Sequence, residues 1–293
     1  MDNQNTHILN GFLDRYISPL DRGFAYGDGV FRTMKVVNGS PQHWPQHYQK
    51  LVADCAAIGI VCPSAELLMD DIQRLFIADE SNAQTAQQAE PRINVAKVTI
   101  TRGEGERGYA LPAVTMPTRL VSRAHFPSYA ESNFTEGVNL KVCDIRLPNQ
   151  PKLAGIKHLN RLENVLARME WQNDAASLPL FDGILLNTQD DVIECTMSNL
   201  FARYNQTLVT PDLTNCGVAG ITRQQIISHA AMFKLNVVVE NLSLDKLLQA
   251  DEVIICNSLY SAFQVRSILH AAVTTLWQPQ TLAATIRKTL SPE

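Results

Sequence analysis

The sequence predicts a mixed α/β (α+β) protein of two domains. Three observations carry this expectation. Strand-like alternation and helix-like spacing follow one another without the regular βαβ period of a doubly wound sheet. Pro127, Ser128, Glu131, Ser132 and Asn133 cluster between residues 126 and 136, which separates a smaller domain over 1–125 from a larger one over 137–293. The chain has 293 residues, 45% of them apolar, enough to give each domain a core.

The elements follow in order. Residues 7–13 are short and apolar, and 30–37 read as a strand ending at Asn38-Gly39, a strong hairpin signal. A helix is expected from about residue 46, because Tyr48, Leu51, Val52, Cys55 and Ile58 recur every three or four positions, with Gly59 as its stop. The pattern repeats over 65–76 through Leu68, Ile72, Leu75 and Phe76. Residues 79–90 hold no large apolar side chain and read as an exposed loop, after which 92–101 and 119–124 read as strands. A strand over 138–147 leads through a Pro-bearing turn at 148–151 into the clearest helical pattern of the chain. That helix is expected over about 157–172, with a stripe of Leu159, Leu162, Leu166 and Met169. A hairpin over 181–188 and 192–204, a helix over 222–233, a strand over 237–240, a short helix over 244–249 and a buried strand over 252–256 complete the pattern.

Composition excludes several classes. A net charge of -4 argues against non-specific affinity for nucleic acid. No apolar run approaches the roughly 18 residues of a membrane span. The first residues lack a basic stretch followed by an apolar one, so a cytoplasmic location is expected. Six cysteines without a C-x-x-C pair are expected to be reduced and mostly buried. His43 and His47 straddle Pro45, so no metal pair is expected there, and no P-loop, G-x-S-x-G or H-E-x-x-H motif occurs.

Four places offer chemistry. Lys157, at the expected helix start, faces a dipole that would lower its pKa and fit it for nucleophilic or base work; a solvated lysine is the alternative. Strand alternation puts Val192, Glu194, Thr196 and Ser198 on one face, either a solvated face or a polar wall with one carboxylate for a cationic ring nitrogen. Gly217-Val-Ala-Gly220 runs into a helix whose first turn holds Ile221 and Thr222, a place for an anion or an ordinary cap; Asn257-Ser258 would add donors. Arg102 and Arg107 flank a glycine-rich strand exit that suits carboxylate recognition or is a plain turn.

Together these segments resemble the fold-type-IV pyridoxal-phosphate enzymes, the class IV aminotransferase family. The resemblance spans nearly the whole chain: Asp21-Arg-Gly-Phe-Ala-Tyr-Gly-Asp-Gly-Val30, His47-Tyr-Gln-Lys-Leu51, Thr101-Arg-Gly, Lys157, Glu194-Cys-Thr-Met-Ser-Asn-Leu-Phe201, Gly220-Ile-Thr-Arg223 and Ala250-Asp-Glu-Val253. The run Lys157-His-Leu-Asn-Arg161, Arg107-Gly-Tyr109 and 252–257 are more similar to the family's lyase branch than to its transaminases.

The resemblance implies a two-domain fold, pyridoxal 5'-phosphate as cofactor and a homodimer. On the lyase branch it implies conversion of 4-amino-4-deoxychorismate into 4-aminobenzoate and pyruvate, a step towards folate. On the other branch it implies amino transfer from D- or branched-chain amino acids. It also implies roles. Lys157 would hold the cofactor covalently and carry a proton. Glu194 would bond the pyridine nitrogen, with Ser198 in the same cofactor-binding set. Ile221, Thr222 and Ser258 would bind the phosphate, and Lys50 stands where the family usually has a phosphate arginine. Arg107, with Arg102 behind it, would meet the substrate carboxylates.

Overall fold

The computed structural model describes residues 6–77, 91–171 and 179–290, so the loop expected over 79–90 and the end of the helix expected to reach 172 lie outside the described residues. The chain divides into two compact units, residues 1–127 with Lys157–Asn160, and 128–156 with 161–293. Among the described residues, no helix is long and apolar enough to cross a membrane.

The first unit comprises β1 (His7–Leu9), β2 (Phe12–Leu13), α1 (Arg22–Tyr26), β3 (Gly29–Val37), β4 (Ser40–Pro41), α2 (Trp44–Ala57), α3 (Ala65–Ile77), β5 (Ile93–Thr101) and β6 (Thr118–His125). Its antiparallel sheet has the order β2-β1-β6-β5-β3-β4. The β3–β4 turn is the expected one: Asn38 and Gly39 take φ of 47° and 77°, the left-handed pair that a tight hairpin requires. Along β3, Val30, Arg32, Met34 and Val36 are buried while Phe31, Thr33 and Lys35 are half-buried. An arginine therefore occupies a core phase. The buried face of α2 also differs from the apolar stripe expected. It carries His47, Leu51, Asp54 and Cys55, and Val52 is exposed.

The second unit comprises α4 (Glu131–Thr135), β7 (Val138–Leu147), α5 (Leu162–Met169), β8 (Leu180–Asn187), β9 (Asp191–Cys195), β10 (Asn199–Tyr204), β11 (Thr207–Pro211), α6 (Ile221–His229), β12 (Asn236–Glu240), β13 (Leu242–Ser243), α7 (Leu244–Leu248), β14 (Glu252–Asn257), β15 (Ser261–His270), β16 (Val273–Leu276) and α8 (Leu282–Leu290). Its mixed sheet runs β12-β11-β10-β14-β15-β7-β8-β9-β13, with β16 on β15. Leu200 and Ala202 of β10 enter one core cluster, and Phe201 between them enters another with Ile226 of α6 and Ile286 of α8, as alternation along a strand requires.

Two expectations are corrected. The helix expected from 157 begins at Leu162, with Arg161 as its N-cap. Leu162, Leu166 and Met169 of the expected core stripe are exposed, and the buried residue of α5 is Ala167. Residues 157–159 are not helical, because their backbone bonds to β3. Phe31 N–H donates to the Lys157 carbonyl at 2.9 Å, and Leu159 N–H donates to the Gly29 carbonyl at 3.0 Å. Helical bonds cannot form while these groups serve a neighbouring strand. The expected strand 192–204 also breaks at 196–198, where Cys195 N–H donates to the Ser198 carbonyl at 2.7 Å and closes a turn.

Candidate active site

Lys157 is positioned from the first unit. Besides the pairing with β3, its backbone N–H donates to Asp54 Oδ2 at 3.3 Å, and its Nζ lies 4.7 Å from the centroid of the Phe31 ring. Gly29 permits the close approach, since a Cβ there would sit 2.5 Å from the Ile100 carbonyl oxygen and 2.8 Å from Leu159 Cδ1. Lys157 lies outside α5 and does not face the helix dipole expected there; an aromatic ring and the Asp54 carboxylate are among its contacts.

Asp54 is a hub. Its carboxylate is 1% exposed and pairs with Arg32 of β3 and with Lys50 one turn earlier on α2. Burial, and then the Arg32 guanidinium, push the Lys50 ammonium down to about 7. His47 is buried on the same helix, and its Nδ1 is buried without a hydrogen-bond partner among the described residues. Burial, followed by Arg32, His43 and Lys157, pushes its imidazole down to about 3, so it is neutral. Sequence reading missed Arg32, His47 and Asp54. The available signal was polar residues in buried phase, on β3 and on α2.

Glu194 belongs to the second unit and is buried in β9. Its Oε2 accepts the Val218 N–H at 2.9 Å. Gly217 makes this possible, with φ of 84° and a missing Cβ that would meet Ile193 Cγ2 at 2.7 Å. Asn199 latches the loop on both sides, Nδ2 donating to the Val218 carbonyl at 2.8 Å and Oδ1 accepting from Gly220 N–H at 3.1 Å. Gly220 then caps α6 with no side-chain hydrogen bond, so the helix start presents backbone N–H groups. Ile221 and Thr222 are buried beside it. Arg161 feels Glu194 as well: burial lowers its pKa, and the Glu194 carboxylate opposes that shift.

The face expected to hold Val192, Glu194, Thr196 and Ser198 is not continuous. A register shift opposite Leu185 and Leu186 interrupts it, and Val192 shares the core cluster of Cys195. Thr196 and Ser198 lie in the turn, both held by Asp182. That carboxylate accepts the Thr196 hydroxyl at 2.5 Å and N–H at 3.0 Å, and the Ser198 hydroxyl at 2.8 Å. Burial raises the Asp182 pKa against these bonds. Asn257, expected as an anion donor, instead accepts the Leu259 and Tyr260 N–H groups and donates to the Met197 carbonyl. Ser258 is half-buried in the turn after β14.

The two arginines separate. Arg102 is 5% exposed, its fork bidentate on Asp28 at 2.8 and 3.0 Å, with further bonds to the Ile58 and Gly59 carbonyls. Those donors are committed within the unit, so Arg102 is corrected from a substrate contact to a structural clamp. Burial would raise the Asp28 pKa, but Arg102 and Arg22 outweigh it and hold the carboxyl low. Arg22 also donates to the Gly108 and Ala110 carbonyls, which shapes the loop on which Arg107 is exposed.

The chain belongs to the family described as amino-transferase class IV, whose sequence profile matches residues 29–268. It is 35% identical over 260 residues to an aminodeoxychorismate lyase of Vibrio harveyi, covering 89% of this chain and 90% of that protein. A D-alanine aminotransferase of Listeria monocytogenes is 30% identical over 260 residues, 87% of this chain and 82% of its own length. The solved 4-amino-4-deoxychorismate lyase of Pseudomonas aeruginosa superposes with a TM-score of 0.83 at 35% identity, covering 97% of each chain.

Proposed function

We propose that this protein is a pyridoxal-phosphate-dependent lyase that converts 4-amino-4-deoxychorismate into 4-aminobenzoate and pyruvate, a step towards folate. The observation that carries the reading is the 35% identity, over nine-tenths of both chains, to a lyase of that name. The residues present fit the cofactor. The second unit offers a buried carboxylate, Glu194, and a helix start without a side-chain cap; the first unit holds Lys157 by its backbone with its amine beside an aromatic ring.

Lys157 would hold the cofactor covalently. Glu194 would keep a proton on the pyridine nitrogen, and Ile221, Thr222 and Ser258 would bind the phosphate with Lys50. When bound, the cofactor supplies an electron sink for the carbanion left by proton removal. Lys157 Nζ would take the proton from ring C4 of the substrate. The bond between the ring and the enolpyruvyl oxygen would then break, that group would leave as the enolate of pyruvate and take up a proton, and aromatisation of the ring would drive the elimination. Ser198 braces the turn after Glu194 through Asp182. Arg107 would meet a substrate carboxylate.

We also propose a homodimer in the cytoplasm. Exposed Leu162, Val165, Leu166 and Met169 line α5, and Tyr16 and Phe24 add exposed aromatic surface on the first unit; large apolar surface of this kind marks association. All six cysteines are free thiols, as a reducing compartment leaves them.

The test is to supply 4-amino-4-deoxychorismate without an amino acceptor and measure 4-aminobenzoate, with a D-alanine and 2-oxoglutarate assay beside it. An obligatory 2-oxo acid, or faster turnover of D-alanine, makes the protein an aminotransferase. Borohydride reduction and peptide mapping should label Lys157.

A further inference from the structure

We infer that Arg32 binds the cofactor phosphate together with Lys50, so that strand β3 supplies the guanidinium that helix α2 lacks. This rests on the reading that Lys157 anchors pyridoxal phosphate.

Arg32 occupies a costly place. It shares the core phase of β3 with Val30, Met34 and Val36, each 0% exposed, and is itself 3% exposed. Burying a guanidinium costs several kcal/mol. An apolar side chain in the same phase would avoid that cost, so a purely structural role explains the arginine poorly.

Its partner indicates what it is for. Asp54 receives Arg32 and the Lys157 backbone N–H on the same oxygen, Oδ2, and Lys50 on Oδ1. One buried carboxylate thus gathers two cationic side chains and fixes both beside the backbone of the anchoring lysine.

The local field favours an anion. Lys50 is pushed down to about 7 by burial and by Arg32. The His47 imidazole is held to about 3 by burial, Arg32, His43 and Lys157. Burial is the larger cause for both groups and the cationic neighbours add to it; those cations would also attract a phosphate dianion. The two cations differ in what they offer. Lys50 presents a point charge on a flexible stem, whereas a guanidinium presents a planar fork that matches two phosphate oxygens.

The test compares pyridoxal phosphate with pyridoxal, which lacks the phosphate, binding to the full chain stripped of cofactor. Wild type should bind the phosphorylated form far more tightly. Arg32→Gln keeps a hydrogen bond to Asp54 but removes the charge. It should shrink the ratio of the two affinities by about 10- to 100-fold, the weight of one charge-assisted contact, while pyridoxal binding stays unchanged. Lys50→Arg added to Arg32→Gln should recover part of that ratio. Arg32→Lys, the milder variant should Arg32→Gln fail to fold, should lose less.

An unchanged ratio overturns the inference, and so does an equal loss of both affinities, the mark of a structural residue. A raised substrate KM with an unchanged ratio would place Arg32 on a substrate carboxylate and also overturns it. If wild type binds neither compound and borohydride labels no lysine, the underlying cofactor reading fails as well.

Discussion

Acidification should destabilise this protein through His47, by an amount that the structure sets. The imidazole titrates near 6.5 in an unfolded chain and near 3 in the fold, because burial and then Arg32, His43 and Lys157 oppose its charge. Between these values the unfolded chain binds the extra proton and the folded chain does not. Stability contributed by the neutral ring is therefore intact above 6.5 and lost as pH falls towards 3. Each pH unit in that window costs about 1.4 kcal/mol. The loss is thus about 3 kcal/mol at pH 4, a large part of the 5–15 kcal/mol typical of a folded domain. His47→Gln carries no titrating group. Urea unfolding of both proteins between pH 7.5 and 4 should show the wild type losing about 3 kcal/mol more than the variant. Every other titrating group is common to both proteins and cancels in the difference. Parallel stability curves would refute the reasoning and show that His47 takes up a proton inside the fold.

Glu194→Gln should still bind cofactor but lower turnover by about two to three orders of magnitude, since an amide cannot hold the ring-nitrogen proton by charge; wild-type turnover would remove Glu194 from that role. Arg102→Leu should cost about 1–3 kcal/mol of stability, because the Ile58 and Gly59 carbonyls lose their donor and Asp28 keeps only Arg22, read as a lowered urea midpoint. Arg107→Leu should leave that midpoint unchanged and raise the substrate KM about tenfold or more; the reverse pattern in the two variants would exchange their roles. Gly217→Ala should destabilise by about 1–3 kcal/mol and weaken cofactor binding, because its Cβ collides with Ile193 beside the Glu194 seat; a wild-type melting curve would show that this loop gives way easily.

What the sequence determined by itself was mostly local. Asn38-Gly39 specified its turn because only a few residue types accept positive φ at both positions. The helical spacing over 65–76 matched α3 because Leu68, Ile72, Leu75 and Phe76 form one buried stripe. The motif segments around Lys157, Glu194 and Gly220 were visible as residue strings that resemble the family. Tertiary structure decided what those strings touch. The spacing of Leu159, Leu162, Leu166 and Met169 suits a helix, yet 157–159 is not helical, because β3 takes its backbone bonds and periodicity cannot register a partner so distant in sequence. The same blindness hid Asp54, whose bond to Lys157 joins residues 103 positions apart. Arg102 and Arg107 read alike as arginines of one glycine-rich turn, and only the fold places the first on half-buried Asp28 and leaves the second exposed. The physical reason is common to all three. Local pattern reports which side of an element avoids water, whereas the charge, donor or ring it meets there is supplied by chain far away.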